Sequence, residues 1–293
     1  MDRYHVTATG HSLNYLPEYA AEWNGFFHDE NIAYSVSVPS PWDQVLDDLR
    51  SGSAEAALGG IWVPSMYRGR ADTFTPFAKI AGRAPLALLG RGDSKHFSVA
   101  DTVGKTVLMK GSNGASVGLY FKMLLRENGI DPTRVNFIQD LDGAMLSELF
   151  VGGMGDYLLI DQLSAEHVAD SNDVTIVFSA VREGGDIPWS VYYVRGGLDD
   201  ANRSLHERFY RAIARGTEWI LHHQVEEYLP QLVELFPGRN PELLRSLAQS
   251  FKDNGMWSTP QIDQKPYERW QKGIKDGHLI HSTISHDDFV DTP

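Results

Sequence analysis

Six small residues in a row, Gly111-Ser112-Asn113-Gly114-Ala115-Ser116, lead into a segment with helical periodicity. A helix that starts in such a loop offers free backbone N–H groups and the positive end of its dipole, and both favour an anion. The hydroxyls of Ser112 and Ser116 and the amide of Asn113 add donors. The same residues would equally make an ordinary loop with an N-cap. The Lys-Ser/Thr ending of a nucleotide-binding loop is missing, so a triphosphate is not the expected guest. A second group lies near the N-terminus, where His11, Ser12 and Asn14 follow a short alternating segment. They can contact a ligand's polar group or supply turn chemistry at a strand end. As base and nucleophile, His11 and Ser12 would need an orienting third group and an oxyanion hole. Neighbours in an extended segment also point to opposite faces, which makes direct activation of Ser12 by His11 poor.

Flat apolar surface is available from tryptophan. Trp62 follows Gly59-Gly60; the glycines let a guest approach the backbone, and the indole can stack on a planar ligand. Trp42 and Trp189 are further candidate walls, although each also suits core packing. Arg83 could grip a carboxylate or sulfonate through two parallel hydrogen bonds, with Arg68 and Arg70 upstream; a solvated surface is the other reading. Asp161 closes an apolar run, so it fits either a ligand amine or amide or a helix N-cap. His222-His223 and the spaced His278, His281 and His286 match no strong zinc pattern. G-x-S-x-G, H-E-x-x-H and G-x-G-x-x-G are absent, so neither a metal nor a cofactor is expected.

The elements that must position these groups alternate. Period-two or short apolar runs predict strands over 4–9, 34–38, 54–60, 73–80 and 85–89. A second set is predicted over 106–109, 135–138, 157–160, 174–178 and 191–194. Helical spacing predicts helices over 17–27, 42–50, 115–128 and 142–150, then a helical final third over 201–223, 225–236, 241–254 and 266–273. Strands alternating with helices in two blocks argue for α/β lobes with largely parallel sheets. Open sheets of this kind bind guests beyond the carboxyl ends of their strands. That rule directs attention to the loops at 11–14, 59–62, 111–116, 140 and 161.

Composition narrows the function. The chain has 293 residues, 42% hydrophobic and 22% charged, enough for about two domains and unlike a disordered, collagenous or coiled-coil chain. The net charge is -13 and no Lys/Arg-rich run exists, so nucleic acid is not an expected partner. No apolar stretch is long enough to insert in a membrane. Cysteine is absent, which excludes disulfides, cysteine-ligated metal and a cysteine nucleophile. The first residues lack the basic and apolar stretches of a leader. As it stands the chain reads as cytoplasmic; it reads as extracytoplasmic if Met1 is not the native start.

At its loops the sequence resembles the type II solute-binding proteins of the nitrate, sulfonate, taurine and thiamine-pyrimidine group. The likeness covers about residues 3–275. It rests on Leu13-Asn14-Tyr15-Leu16-Pro17 followed by Gly25-Phe26-Phe27, then Gly52, Glu55, Ala57 and Gly59-Gly60. Val103-Gly104-Lys105-Thr106-Val107, the Gly111–Ser116 loop, Asn128-Gly129-Ile130-Asp131 and Gly152-Gly153-Met154-Gly155-Asp156 complete it. The resemblance implies a two-lobe periplasmic-binding-protein-like architecture, each lobe a mixed, mostly parallel sheet flanked by helices. It implies one lobe from 1–88 plus 195–293, a second from 89–194, and hinge strands near 86–89 and 191–194. It further implies that a small planar or anionic organic molecule is held in the cleft by lobe closure, with an ABC permease as partner. Some proteins of this fold are cytoplasmic enzymes that use cysteine. This chain has none, so those mechanisms do not carry over. The competing expectation is a lyase or hydrolase acting on an aromatic or heteroaromatic acid, with His11 and Ser12 as its catalytic candidates. A cytosolic ligand sensor is a third.

Overall fold

The computed structural model describes residues 1–91, 96–111, 115–139 and 143–293. Its strands are β1 (Asp2–Ala8), β2 (Ile32–Ser37), β3 (Ala56–Gly60), β4 (Phe74–Ala81), β5 (Leu86–Gly90), β6 (Thr106–Met109), β7 (Asn136–Ile138), β8 (Tyr157–Asp161), β9 (Thr175–Ser179) and β10 (Ser190–Arg195). The helices are α1 (Leu16–Trp23), α2 (Phe26–Asp29), α3 (Val45–Ser51), α4 (Trp62–Tyr67), α5 (Ser116–Glu127), α6 (Gly143–Val151), α7 (Gln162–Ser171), α8 (Ala180–Glu183), α9 (Arg203–His222), α10 (Val225–Leu235), α11 (Pro241–Asp253) and α12 (Gln264–Asp276).

Two five-stranded sheets result, ordered β2-β1-β3-β10-β4 and β7-β6-β8-β5-β9. In the first, β10 alone runs opposite to its neighbours. In the second, β5 alone does so. Each reversed strand is the one that has just arrived from the other sheet. The sheets are therefore mixed with a parallel majority, as a two-lobe chain that crosses over twice requires. The crossings lie at 82–85 and 180–189, just ahead of the two strands read as hinges, and β5 and β10 each belong wholly to one sheet.

Buried aromatics hold the first sheet to its helices. Tyr4 stacks on Phe209 of α9 at 4.2 Å, and Phe27 stacks on Tyr34 at 4.0 Å. Three features depart from the periodicity reading. The helix expected over 17–27 breaks after Trp23, because Gly25 takes a φ of 71° that ends α1 and starts α2. Helix α7 was not anticipated: its buried face is Gln162, Ala165 and Val168, too polar and too small to show an apolar stripe. The C-terminal segment contacts both sides of the molecule: Lys79 of β4 pairs with Asp263 at 2.8 Å, and Gln271 of α12 donates to Ser65 of α4 at 2.7 Å. Tyr267, Trp270 and Ile274 of α12 are spaced along one helical face and are buried with Tyr120, Met123 and other side chains of α5. Arg269 adds an ion pair of 2.7 Å to Glu127. Among the described residues, no helix is long and apolar enough to cross a membrane.

Candidate functional site

The strand ends converge on one cleft of about 550 Å³ between the sheets. β1 delivers the segment 9–15, β3 delivers Trp62, β6 delivers Lys110, and β8 delivers Asp161. The two reversed strands turn their amino ends to the same space, contributing Ser190 and Leu86. This is the edge at which open α/β sheets bind guests.

Tryptophans form much of the apolar wall. Trp62 is 8% exposed, and its ring meets Trp42 edge-on at 5.9 Å. Gly60 makes that placement possible, since a Cβ there would lie 2.5 Å from two atoms of the indole. Trp62 opens α4 rather than lying in a loop. Trp189 faces the cleft and is backed by Trp270, stacked at 6.2 Å, and by Tyr120 edge-on at 5.7 Å. Phe236 closes the side nearest His11.

His11 lines the cleft, but both ring nitrogens are already engaged. Nε2 lies 3.0 Å from the Leu235 carbonyl, which can only accept, so that nitrogen carries the proton. Nδ1 then accepts from the Tyr19 hydroxyl at 3.0 Å. Burial and the nearby Glu18 carboxylate push the Tyr19 hydroxyl well up, which keeps it a protonated donor. The imidazole also packs on Phe236 at 4.8 Å. Ser12 points its hydroxyl at Asn14 Oδ1, not at His11. The pair is thus not arranged as base and nucleophile, in keeping with the opposite facing of neighbours in extended backbone. Asn14 is buried, with its amide 3.4 Å from Ser190 Oγ and its carbonyl accepting from Trp257 Nε1 at 3.0 Å.

On the second sheet's side, Ser116 begins α5 at the cleft wall and is 8% exposed. Ser112, Asn113 and Gly114 lie outside the described residues, as does Asp140. Asp161 lines the cleft and caps α7, its carboxylate accepting from the Ser164 backbone N–H at 2.9 Å. Arg83, like Arg68 and Arg70 upstream of it, does not line the cleft. It sits in a separate cavity of about 340 Å³ behind the crossings. There its Nε donates to Asp186 at 2.8 Å and its Nη1 to the Val181 carbonyl at 2.6 Å, so the guanidinium is spent joining the two crossing segments.

Two cations enter the cleft in its place. Lys110 follows β6 immediately, and Arg239 stands in the turn between α10 and α11. Neither has an ion-pair partner among the described residues, whereas most arginines do. Lys110 directly precedes the Gly111 loop, so extending that loop by one residue would have found it. Arg239 follows Phe236-Pro237-Gly238, which reads only as a turn. The same turn is pinned by His11 through Leu235 and Phe236. Gln162 and Ser164 also line the cleft, but the amide of Gln162 is held by Glu166 and Ser179. Among the described residues, no three His, Asp or Glu side chains are grouped to hold a metal ion.

Comparison with known proteins fits this geometry. A family model described as NMT1/THI5 like matches residues 12–227. YtlA of Bacillus subtilis, whose name describes it provisionally as a binding protein, is 26% identical over 274 residues, spanning 91% of this chain and 80% of its own. The periplasmic sulfonate-binding protein SsuA of Methylobacillus flagellatus is 14% identical, with a TM-score of 0.76 over 100% of this chain and 92% of that one. The periplasmic aliphatic sulphonate-binding protein SsuA of Escherichia coli is 15% identical, with a TM-score of 0.73 over 100% and 93%. At these identities the two solved structures establish a shared fold.

Proposed function

The chain belongs to the NMT1/THI5-like family, and from that premise we propose that it captures a small organic anion with a flat portion and delivers it to an ABC-type permease. The observation that carries this reading is the pair of cations, Lys110 from the second sheet and Arg239 from the first sheet's helices, facing one cleft without ion-pair partners among the described residues. Closing the sheets on an empty cleft would desolvate two like charges, which is costly. An anion between them removes that penalty and adds charge-assisted hydrogen bonds. Guest and closure are thereby coupled: the ligand binds the closed form better than the open one, and the difference drives the closing. The start of α5 beside Lys110 adds a positive helix end. Trp42, Trp62 and Trp189 then cover the flat part of the guest, and Asn14, Ser190 and Ser116 supply polar contacts around it. No bond is made or broken in this cycle. This reading has the protein act on the outer face of the membrane. The sulfonate specificity in the names of the structural relatives supports including sulfonates among the guests.

The test is isothermal titration with benzoate, benzenesulfonate, taurine and aminopyrimidines, against the native protein and the Lys110→Ala and Arg239→Ala variants. Loss of one charge-assisted contact corresponds to about a tenfold to hundredfold weaker Kd in each variant. If no member of the panel binds or raises Tm, or if both variants bind an anion as tightly as the native chain, the proposal fails.

A further inference from the structure

A second space adjoins the cleft at its two cations. It is a groove of about 740 Å³ between α6 and α7. Four residues line both spaces: Lys110, Asp161, Ser164 and Arg239. The charged pair therefore borders both spaces. The groove differs in character from the cleft. Leu146 of α6, Ile160 of β8 and Val168 of α7 form its apolar lining, and Val151 stands at its rim, 41% exposed. Val151 is one of the six exposed large hydrophobic residues among the described residues, and exposed apolar surface of this kind marks a site that is covered in use.

Resting on the reading of the cleft as an anion site, we infer that the groove is a second subsite, and that the ligand carries its anionic group between two unlike arms. A flat arm lies against the tryptophans. A saturated arm passes Lys110 and Arg239 and lies between α6 and α7. The occupant is part of the ligand rather than another protein, because the groove shares with the cleft the residues that hold the charge. A partner docking on the surface would not need those shared residues. The chemical class is an anion substituted on one side by an aromatic ring and on the other by an alkyl or acyl chain.

N-acyl-phenylalanines with two, four, six and eight carbons in the acyl group are the probes, titrated calorimetrically into the full chain. Each methylene buried in the groove strengthens binding about threefold to fourfold. Ser147→Trp places a ring in the groove from a half-buried position on α6. It should leave the two-carbon probe unchanged and abolish the chain-length dependence. Ser171→Trp, from an exposed position at the far end of α7, serves as the second plug if the first variant loses its native near-UV circular dichroism. If the two-carbon probe binds but affinity ignores chain length, the groove subsite is wrong and the anion cleft stands. A chain-length dependence that survives both plugs also overturns it, since the chain then lies elsewhere, whether in the cleft or on the surface. If no probe binds and simple aromatic anions also fail, the cleft reading falls first and takes the subsite with it.

Discussion

Gly60→Ala isolates one contact on which the shape of the cleft depends. The three heavy atoms nearest to an added Cβ all belong to Trp62, and two of them would lie at 2.5 Å. Carbon contacts settle at about 3.5–4.0 Å, so the indole must retreat by about 1 Å. The backbone at 60 is outside the left-handed region, and alanine adds no strain of its own there. The whole penalty therefore falls on one ring, already 8% exposed and held edge-on by Trp42. Overpacking of this kind costs about 1–3 kcal/mol, with the lower end expected where the ring can swing toward an open cleft. Stability should fall by about 1–2 kcal/mol, read by urea denaturation. The near-UV signal from the Trp42–Trp62 pair should change, and affinity for aromatic anions should drop at least tenfold as the wall moves into the ligand's space. In the Gly60→Ala/Trp62→Ala double variant the clash has no partner, so the stability losses should be less than additive. Native-like near-UV dichroism with Kd within twofold in Gly60→Ala, or strict additivity in the double variant, would refute the argument that Gly60 exists to seat Trp62.

Two further outcomes follow from His11 and the buried Glu18. His11→Ala removes the donor to the Leu235 carbonyl and the packing on Phe236; it should raise amide hydrogen exchange across 236–239, weaken anion binding through Arg239, and cost about 1 kcal/mol of stability. Unchanged exchange there would mean that the turn holds itself. Glu18 lies buried in α1, where burial pushes its carboxyl up to about 7 despite a 2.5 Å hydrogen bond donated by Tyr192. A carboxyl that stays protonated in the folded chain while ionised in the unfolded one lowers stability as pH rises. Native stability should therefore fall by about 3 kcal/mol between pH 4.5 and pH 7 relative to Glu18→Gln, then run parallel above that. Urea melts across that range read it, and equal slopes for the two proteins would count against a neutral Glu18.

Local pattern carried a large part of this architecture. Strands at 4–9 and 34–38 show their alternation within a few residues, and the strand at 106–109 shows as a short apolar run because both of its faces meet a core. The loops after β1, β3, β6 and β8 were recognisable for the same reason, since a strand's end can be read without knowing its neighbours. His11, Ser12, Asn14, Gly60, Trp62, Ser116, Asp161 and Trp189 accordingly line the cleft. Their roles were less accessible. Whether His11 meets a ligand or a carbonyl depends on Leu235, 224 positions away. Whether Arg83 is free depends on Asp186, 103 positions away, which the second crossing brings beside it. Arg239 carries no periodicity or motif that marks it, and α12 shows its amphipathic face without showing which sheet it will cover. Propensity and period are short-ranged and act along the chain. The partners of a charge are set by long-range packing between sheets that exchange strands twice, and that geometry exists only once the chain has folded.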